Sequence, residues 1–582
     1  MKRILTLILA AALLLGVSGG AFASGEASGE SSGEAEAIDA LVVVTDEGAV
    51  ITPEGRRYEQ TAGEITEEGL FGVEMTSDDY YLNIVAVQGG QYTLRDCVIS
   101  KTVSETPTAA GGEIAHVTDG LLLIDNCELT CAGKGGIRYA DYPVECSDYG
   151  TMVIVNSAIT QTGIGGDPEG YTAAIDDPPS NEALTISGYA RASMSQGYGD
   201  TYYYGSVVTT EAWAAMSTDM GSVRFYAYNS DAIAERGGYG TYADTSCYNW
   251  FYGCTLQGAE IGAIISNNGA VRLYSGADAD EDMFAGLTAA GLTTDDIELT
   301  DRRSVVLAGR NCIQLHAPEE SKGATRNQIG VLEAYDTDFI TSRELDAQAD
   351  LVDWYEDYGP ALGEYVDFVK GAVFLVKSQS ANIALTRCTA ESYSDVLLMT
   401  AVNSDSMGVY AYNTHDMTGK GTVLTLTECD IAGDVCAYDY QRSCSVTLTD
   451  SVWSGAYRTW DKDEWDAAWS DECAADEKCY WLLDESVYNT GTESVTSLTV
   501  GAGSVWNVTG ESDMDTLTVE PGAVVNGTVF VDGVETDVSV GGSWSGVITV
   551  TPAAVQTVEV SGELYLRLND LESALWQWGV GK

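Results

Sequence analysis

The chain has 582 residues, with 88 acidic against 28 basic side chains and a formal net charge of −60, yet its hydrophobic fraction of 45% is that of an ordinary globular protein. Such a surface repels nucleic acid and anionic lipid and excludes both as partners. It repels polyuronates too unless divalent cations bridge the two, so solubility and cation binding come before acidic-polymer degradation.

The chain begins with Lys2 and Arg3, an apolar run from Ile4 to Val17 and the small-residue site Ala21-Phe22-Ala23. This is the pattern of a secretory signal peptide over 1–23, and it predicts a secreted protein found extracellularly or at the cell surface. The acidic, Gly- and Ser-rich stretch 24–37 cannot bury enough apolar area to offset chain entropy and reads as a disordered linker. Beyond the leader no stretch is long and apolar enough for a transmembrane helix, so membrane insertion is not expected.

From residue 38 to 533 a strand unit repeats. TLRDCVIS, LIDNCELT and VIVNSAIT place Asp96, Asn126 and Asn156 in one column and Cys97, Cys127 and Ser157 in the next, at a step of 30 residues. The unit, a polar residue followed by Cys, Ser or Thr, then any residue, then usually an apolar one, returns at Asn229-Ser230, Gly253-Cys254, Asp336-Thr337, Arg387-Cys388, Glu428-Cys429 and Asp450-Ser451, with Asn311-Cys312 as a degenerate copy. Each follows a run rich in Val, Ile, Leu, Thr or Tyr and precedes Gly or Ser, the punctuation of a strand entering a turn. A unit that cannot bury its own apolar face gains stability by stacking on copies of itself, which predicts a solenoid.

On these residues the chain resembles the right-handed parallel β-helix, pectin-lyase-like group of secreted proteins. The resemblance implies an all-β solenoid with long inserted loops and a few short helices. Three insertions are expected: Gly188 to Gly221, rich in Tyr and Gly; Ser342 to Lys370; and Tyr457 to Tyr488, with Trp460, Trp465 and Trp469. The segment Ser497 to Gly527, with Trp506, Val508, Leu517 and Val519 as inward residues, is similar to the last coils of adhesin-type autotransporter passenger domains. Residues 534–582 are expected to add a β segment and a capping helix, Leu564 to Trp578.

Thirteen cysteines in an exported chain invite disulfides, but Cys97, Cys127, Cys254, Cys312, Cys388 and Cys429 occupy the column that elsewhere holds Ser or Thr, which predicts buried thiols. Cys436 with Cys444 and Cys473 with Cys479 are the local pairs to test for bonds. His116, His316 and His415 have no nearby ligand-like spacing, so zinc is not expected. Asp278, Asp280 and Asp282 alternate in GADADEDMFAG and suggest a calcium loop, although Met283 and Ala289 stand where such a loop wants Gly and Glu.

Two function classes follow. The first is a secreted or cell-surface binding protein, adhesin-like, holding an extracellular glycan or a host or cell-surface component. Tyr202, Tyr203, Tyr204, Trp250 and Tyr252 are its candidate ligand-binding residues, because flat aromatic faces stack on sugar rings while nearby acids bond hydroxyl groups. The second is a polysaccharide hydrolase or lyase of the same superfold, needing two or three carboxylates at one cleft. Asp176-Asp177 and Asp295-Asp296 are adjacent acids, but pairs are expected by chance among 88, and the Asn-Thr-Asp, His-Gly and Arg-Ile-Lys set of polygalacturonase-like enzymes does not occur. The catalytic residues of this second reading stay unassigned.

Overall fold

The computed structural model describes residues 40–79, 82–103, 112–133, 143–162, 191–211, 214–316, 329–348, 371–377, 379–401, 421–439, 442–459 and 494–553. These form a parallel β-solenoid in which most strands hydrogen-bond the strand one coil before and one coil after. Each full coil contributes three strands, so the column has three faces.

The first face stacks Thr151–Val155, Asp200–Tyr204, Arg224–Tyr228, Tyr248–Tyr252 and Ala270–Tyr274 in strict register. The second runs through Glu128–Gly133, Ala158–Thr162, Val207–Thr210, Asp231–Ala234 and Thr255–Gly258. The third runs through Ala115–Val117, Val144–Cys146, Ser193–Gly197, Ala214–Gly221 and Tyr239–Ala243. Side chains alternate across each strand, so every second residue enters one continuous apolar core that extends from Leu41 to Val550. Trp506, Leu517 and Val519 lie within it, and Trp506 stacks on Trp453 one coil earlier, ring centroids 5.5 Å apart.

The turn from the first face to the second explains the repeated polar-Cys/Ser pair. Asp96, Asn126, Asn156, Asn229, Asp336, Arg387, Glu428 and Asp450 all sit at positive φ, between 47° and 56°. That left-handed conformation costs most residues about 1–2 kcal/mol and Asn, Asp and Gly least, so these types recur there. Arg387, which lacks that advantage, is tied to Asp336 of the preceding coil by an ion pair at 2.6 Å.

The next residue points inward, and Cys97, Cys127 and Ser157 are all buried. Its backbone N–H donates to the hydroxyl one coil later: Cys127 to Ser157 at 3.0 Å, Ser157 to Ser206 at 3.1 Å, Ser206 to Ser230 at 3.1 Å and Ser451 to Ser504 at 3.1 Å. The Ser157, Ser206, Ser230 and Ser451 hydroxyls in turn donate to the carbonyl two residues before them, as Ser206 does to Tyr204. Cysteine fits the same position because its thiol makes the same backward bond, Cys254 to the Tyr252 carbonyl. The Cys97 and Cys127 thiols make the same backward bonds, to the Arg95 and Asp125 carbonyls, each at 3.3 Å.

Three expectations are corrected. Cys312 is buried but lies on a third-face strand, Asn311–His316; the turn column at that coil is filled by Ser304, which accepts the Cys254 N–H at 3.1 Å. Gly188 to Gly221 is not a loop over its described part, since Ser193–Gly197, Asp200–Tyr204, Val207–Thr210 and Ala214–Gly221 are solenoid strands, their tyrosines being β-formers on a half-buried pleat. Cys436 and Cys444 stay buried thiols. The signal peptide, the linker, Cys473 with Cys479, His415, the tryptophans 460, 465 and 469 and the helix 564–578 lie outside the described residues.

Antiparallel strands occur at both ends. Tyr58–Ile65 pairs with Gly69–Ser77, and Gly542–Pro552 folds back on Ser512–Val519 and Val524–Val531, which covers edges that would otherwise invite another chain.

Replacing Ser206, which is 1% exposed, by Ala removes the acceptor of the Ser157 N–H in a dry core and is expected to cost about 1–3 kcal/mol. Ser206→Cys should cost less. Denaturant unfolding of the two variants checks the order.

Candidate functional site

Alternation on the first face sends Tyr202, Tyr204, Trp250 and Tyr252 outward, together with Tyr226, Tyr228, Tyr274 and Tyr335. Tyr203 goes the other way: it is fully buried in the core and its hydroxyl donates to Ser193 Oγ at 2.6 Å, so it cannot meet a ligand.

The outward rings form two rows along the column. In one, Tyr202 stacks on Tyr226 at 5.1 Å, Tyr226 on Trp250 at 4.7 Å, and the Arg272 guanidinium lies 5.3 Å from the Trp250 centroid. In the other, Tyr252 stacks on Tyr274 at 5.0 Å and Tyr274 on Tyr335 at 5.3 Å. The roughly 4.8 Å strand spacing brings like rings into stacking distance on successive coils. Both faces of Trp250 and of Tyr274 are therefore occupied by neighbours, and these two residues offer ring edges.

An insertion between Tyr274 and Ser304, carrying a short helix α1 (Ala285–Ala289), folds back over the upper part of both rows. Met283, Leu287 and Ala290 pack on Val155, Tyr202, Tyr204, Tyr226, Tyr228 and Tyr252. The Tyr204 hydroxyl donates to the Met283 carbonyl at 2.8 Å, and the Thr300 N–H donates to the Tyr228 hydroxyl at 2.8 Å. Burial raises the Tyr202 and Tyr204 phenols. Most of the predicted aromatic residues thus hold this insertion down.

The candidate calcium residues Asp278, Asp280 and Asp282 lie on the same insertion. Asp280 Oδ1 accepts the N–H groups of Asp282 and Met283 at 3.1 and 3.2 Å, and Asp278 accepts from Ser275 Oγ at 2.7 Å. Two of the three carboxylates thus accept hydrogen bonds within the turns of the insertion. Among the described residues the group that brings three metal-ligand atoms within 4.8 Å of one another is Glu113, His116 and Glu145 instead.

Carboxylates on the open part of the first face are paired. Asp200 binds Arg224 at 2.5 Å and Glu333 binds Arg272 at 2.7 Å. Asp296, a member of one adjacent acid pair, closes a capping box with Thr293. Asp176 and Asp177 lie outside the described residues.

Two tyrosines missed by sequence reasoning are the more open. Tyr149 and Tyr198 stand at the corner from the third face to the first on successive coils, 70% and 59% exposed, their rings stacked at 5.4 Å and 12°. Gly197 lets the coils approach there, since a Cβ on it would fall 2.7 Å from the Asp148 backbone and its φ is +78°. The signal available in sequence was an aromatic recurring beside Gly at one coil's distance, which reads as turn composition until the coils are aligned.

A scan against protein-family models, a search of curated proteins and a search of solved structures each found no match to this chain.

Gly286 lies under the Tyr202 ring, and a Cβ there would come within 2.4 Å of it. Gly286→Val should lift the insertion from the first face while the column persists. Limited proteolysis is expected to cut between 276 and 302 in the variant at protease levels that leave the parent intact.

Proposed function

We propose that this chain is a secreted, adhesin-like binding protein that holds an extracellular or cell-surface glycan against the outside of its solenoid. The observation that carries the reading is the Tyr149–Tyr198 pair. Large aromatic side chains left in water, stacked on each other and set on a rigid corner, form a preordered apolar platform of the kind that meets the CH face of a sugar ring. Tyr335, 37% exposed at the end of its row and opposite Thr386 on the next coil, offers a second such surface on the first face.

The neighbouring acids suit binding. Asp200 and Glu333 are each held in place by an arginine, and carboxylates oriented in this way can accept from sugar hydroxyl groups. The resemblance of the repeated strand unit to pectin-lyase-like secreted proteins, and of the last coils to autotransporter passenger domains, supports an extracellular setting, while one solenoid serves many activities.

A glycan array with and without calcium, run on the parent and on the Tyr149→Ala/Tyr198→Ala double variant, tests the reading. The parent should retain at least one polysaccharide, and the double variant should lose about tenfold or more in affinity, roughly 1.4 kcal/mol. Its thermal unfolding should be almost unchanged, because both rings are on the surface. Release of reducing ends or unsaturated sugars from the same polymers, or binding indifferent to both substitutions, would overturn it.

A further inference from the structure

We propose that Glu113, His116 and Glu145 form a binding site for one divalent transition-metal ion, zinc in the first instance. Val117 and Cys146 belong to the core, so alternation turns His116 and Glu145 to the outside of the third face. The strands place them directly opposite each other on adjacent coils. Glu113 joins them from the entry to the same strand, three residues before His116.

One ligand atom from each of the three side chains lies within 4.8 Å of the other two, the spacing of groups that can share one ion. His116 Nδ1 lies 3.6 Å from Glu113 Oε2, too far for a hydrogen bond and close to the spacing of about 3.3 Å between two ligands on one tetrahedral ion with bonds of about 2.0 Å. The other ring nitrogen, Nε2, is 2.9 Å from Ser147 Oγ. Occupying Nε2 leaves the Nδ1 lone pair for the cluster, which is how histidine ligands are commonly oriented. One carboxylate is braced as well, since Gln196 Nε2 donates to Glu145 Oε1 at 2.5 Å, while the backbone N–H of Glu113 donates to Asn83 Oδ1 at 3.0 Å.

Charge and donor type select the ion. Glu113 and Glu145 are 8% and 7% exposed, and placing two carboxylates in such a pocket is costly unless a cation compensates them. An imidazole nitrogen in a set of three suits zinc and its neighbours, whereas calcium takes six to eight oxygens.

The metal-stripped full-length chain should be titrated with zinc against a chromophoric chelator, in millimolar calcium to saturate the many surface carboxylates. One tight equivalent is expected, weakened about 100-fold in Glu145→Gln and in His116→Gln and about tenfold in Ser147→Ala, the range seen when ligands and their orienting groups are removed. Cobalt in place of zinc should give the absorption of a four-coordinate site, lost in the same variants. Circular dichroism reports whether each variant folds; if His116→Gln does not, Glu145→Gln decides, since it keeps the side-chain shape. A parent with no tight equivalent, or a tight equivalent that survives Glu145→Gln, overturns the site.

Discussion

The column stands on one recurring interaction, the hydrogen bond from a backbone N–H just past the left-handed turn to a hydroxyl one coil later. Parallel strands repeat their backbone pairing at every coil, but a turn interrupts that ladder and leaves donors facing a dry interior. The Ser157, Ser206, Ser230, Ser304, Ser451 and Ser504 hydroxyls take up those donors, and those of Ser157, Ser206, Ser230 and Ser451 return their own protons to carbonyls of the same turn. Cysteine is tolerated because sulfur makes the backward bond and fills the same volume. Where this corner holds, the strands before and after it are aligned, and the first and second faces follow.

Alignment has consequences outside the core. Residues that stand one coil apart in sequence become neighbours about 4.8 Å apart, so any side-chain type that recurs in an outward column stacks on itself. Tyrosine in such a column gives the two aromatic rows of the first face; Asn126 bonding Asp96 across the turn and Arg387 bonding Asp336 are the polar versions of the same effect. An aromatic row satisfies its own ring faces internally, which is why the exposed pair at the third-face corner, with outer faces uncovered by further rings of the row, is the better platform for a ligand.

The insertion over the first face shows how a solenoid converts part of its surface into a second small core. Met283 and Leu287 add an apolar layer on tyrosines whose hydroxyls bond the insertion backbone, so the aromatic rows serve burial at one end and remain partly open at the other. The third face differs: its outward residues include charged and polar groups that are nonetheless buried, among them Glu145, beside the half-buried His116, and Arg191, paired with Asp219 at 2.8 Å. Buried polar groups on an outer face are where a ligand or ion has the most to gain.

Much of the fold was legible in the residues themselves. A polar residue able to adopt positive φ followed by a small hydroxyl or thiol is a local requirement of the turn, so it repeats in sequence and marks the coil. The inward place of Cys97, Cys127 and Ser157, and of Trp506, Leu517 and Val519, follows from period-two alternation. The same logic misplaced Cys312, because Ser304 meets the turn requirement without a left-handed residue before it, and it took a Tyr-rich run for a loop where the tyrosines are strand formers. Which outward side chains meet, whether Tyr202 is open or covered, and that Glu145 comes back beside His116 were settled only by tertiary structure. Those facts depend on register between coils separated by insertions of unequal length, and no local spacing encodes that register.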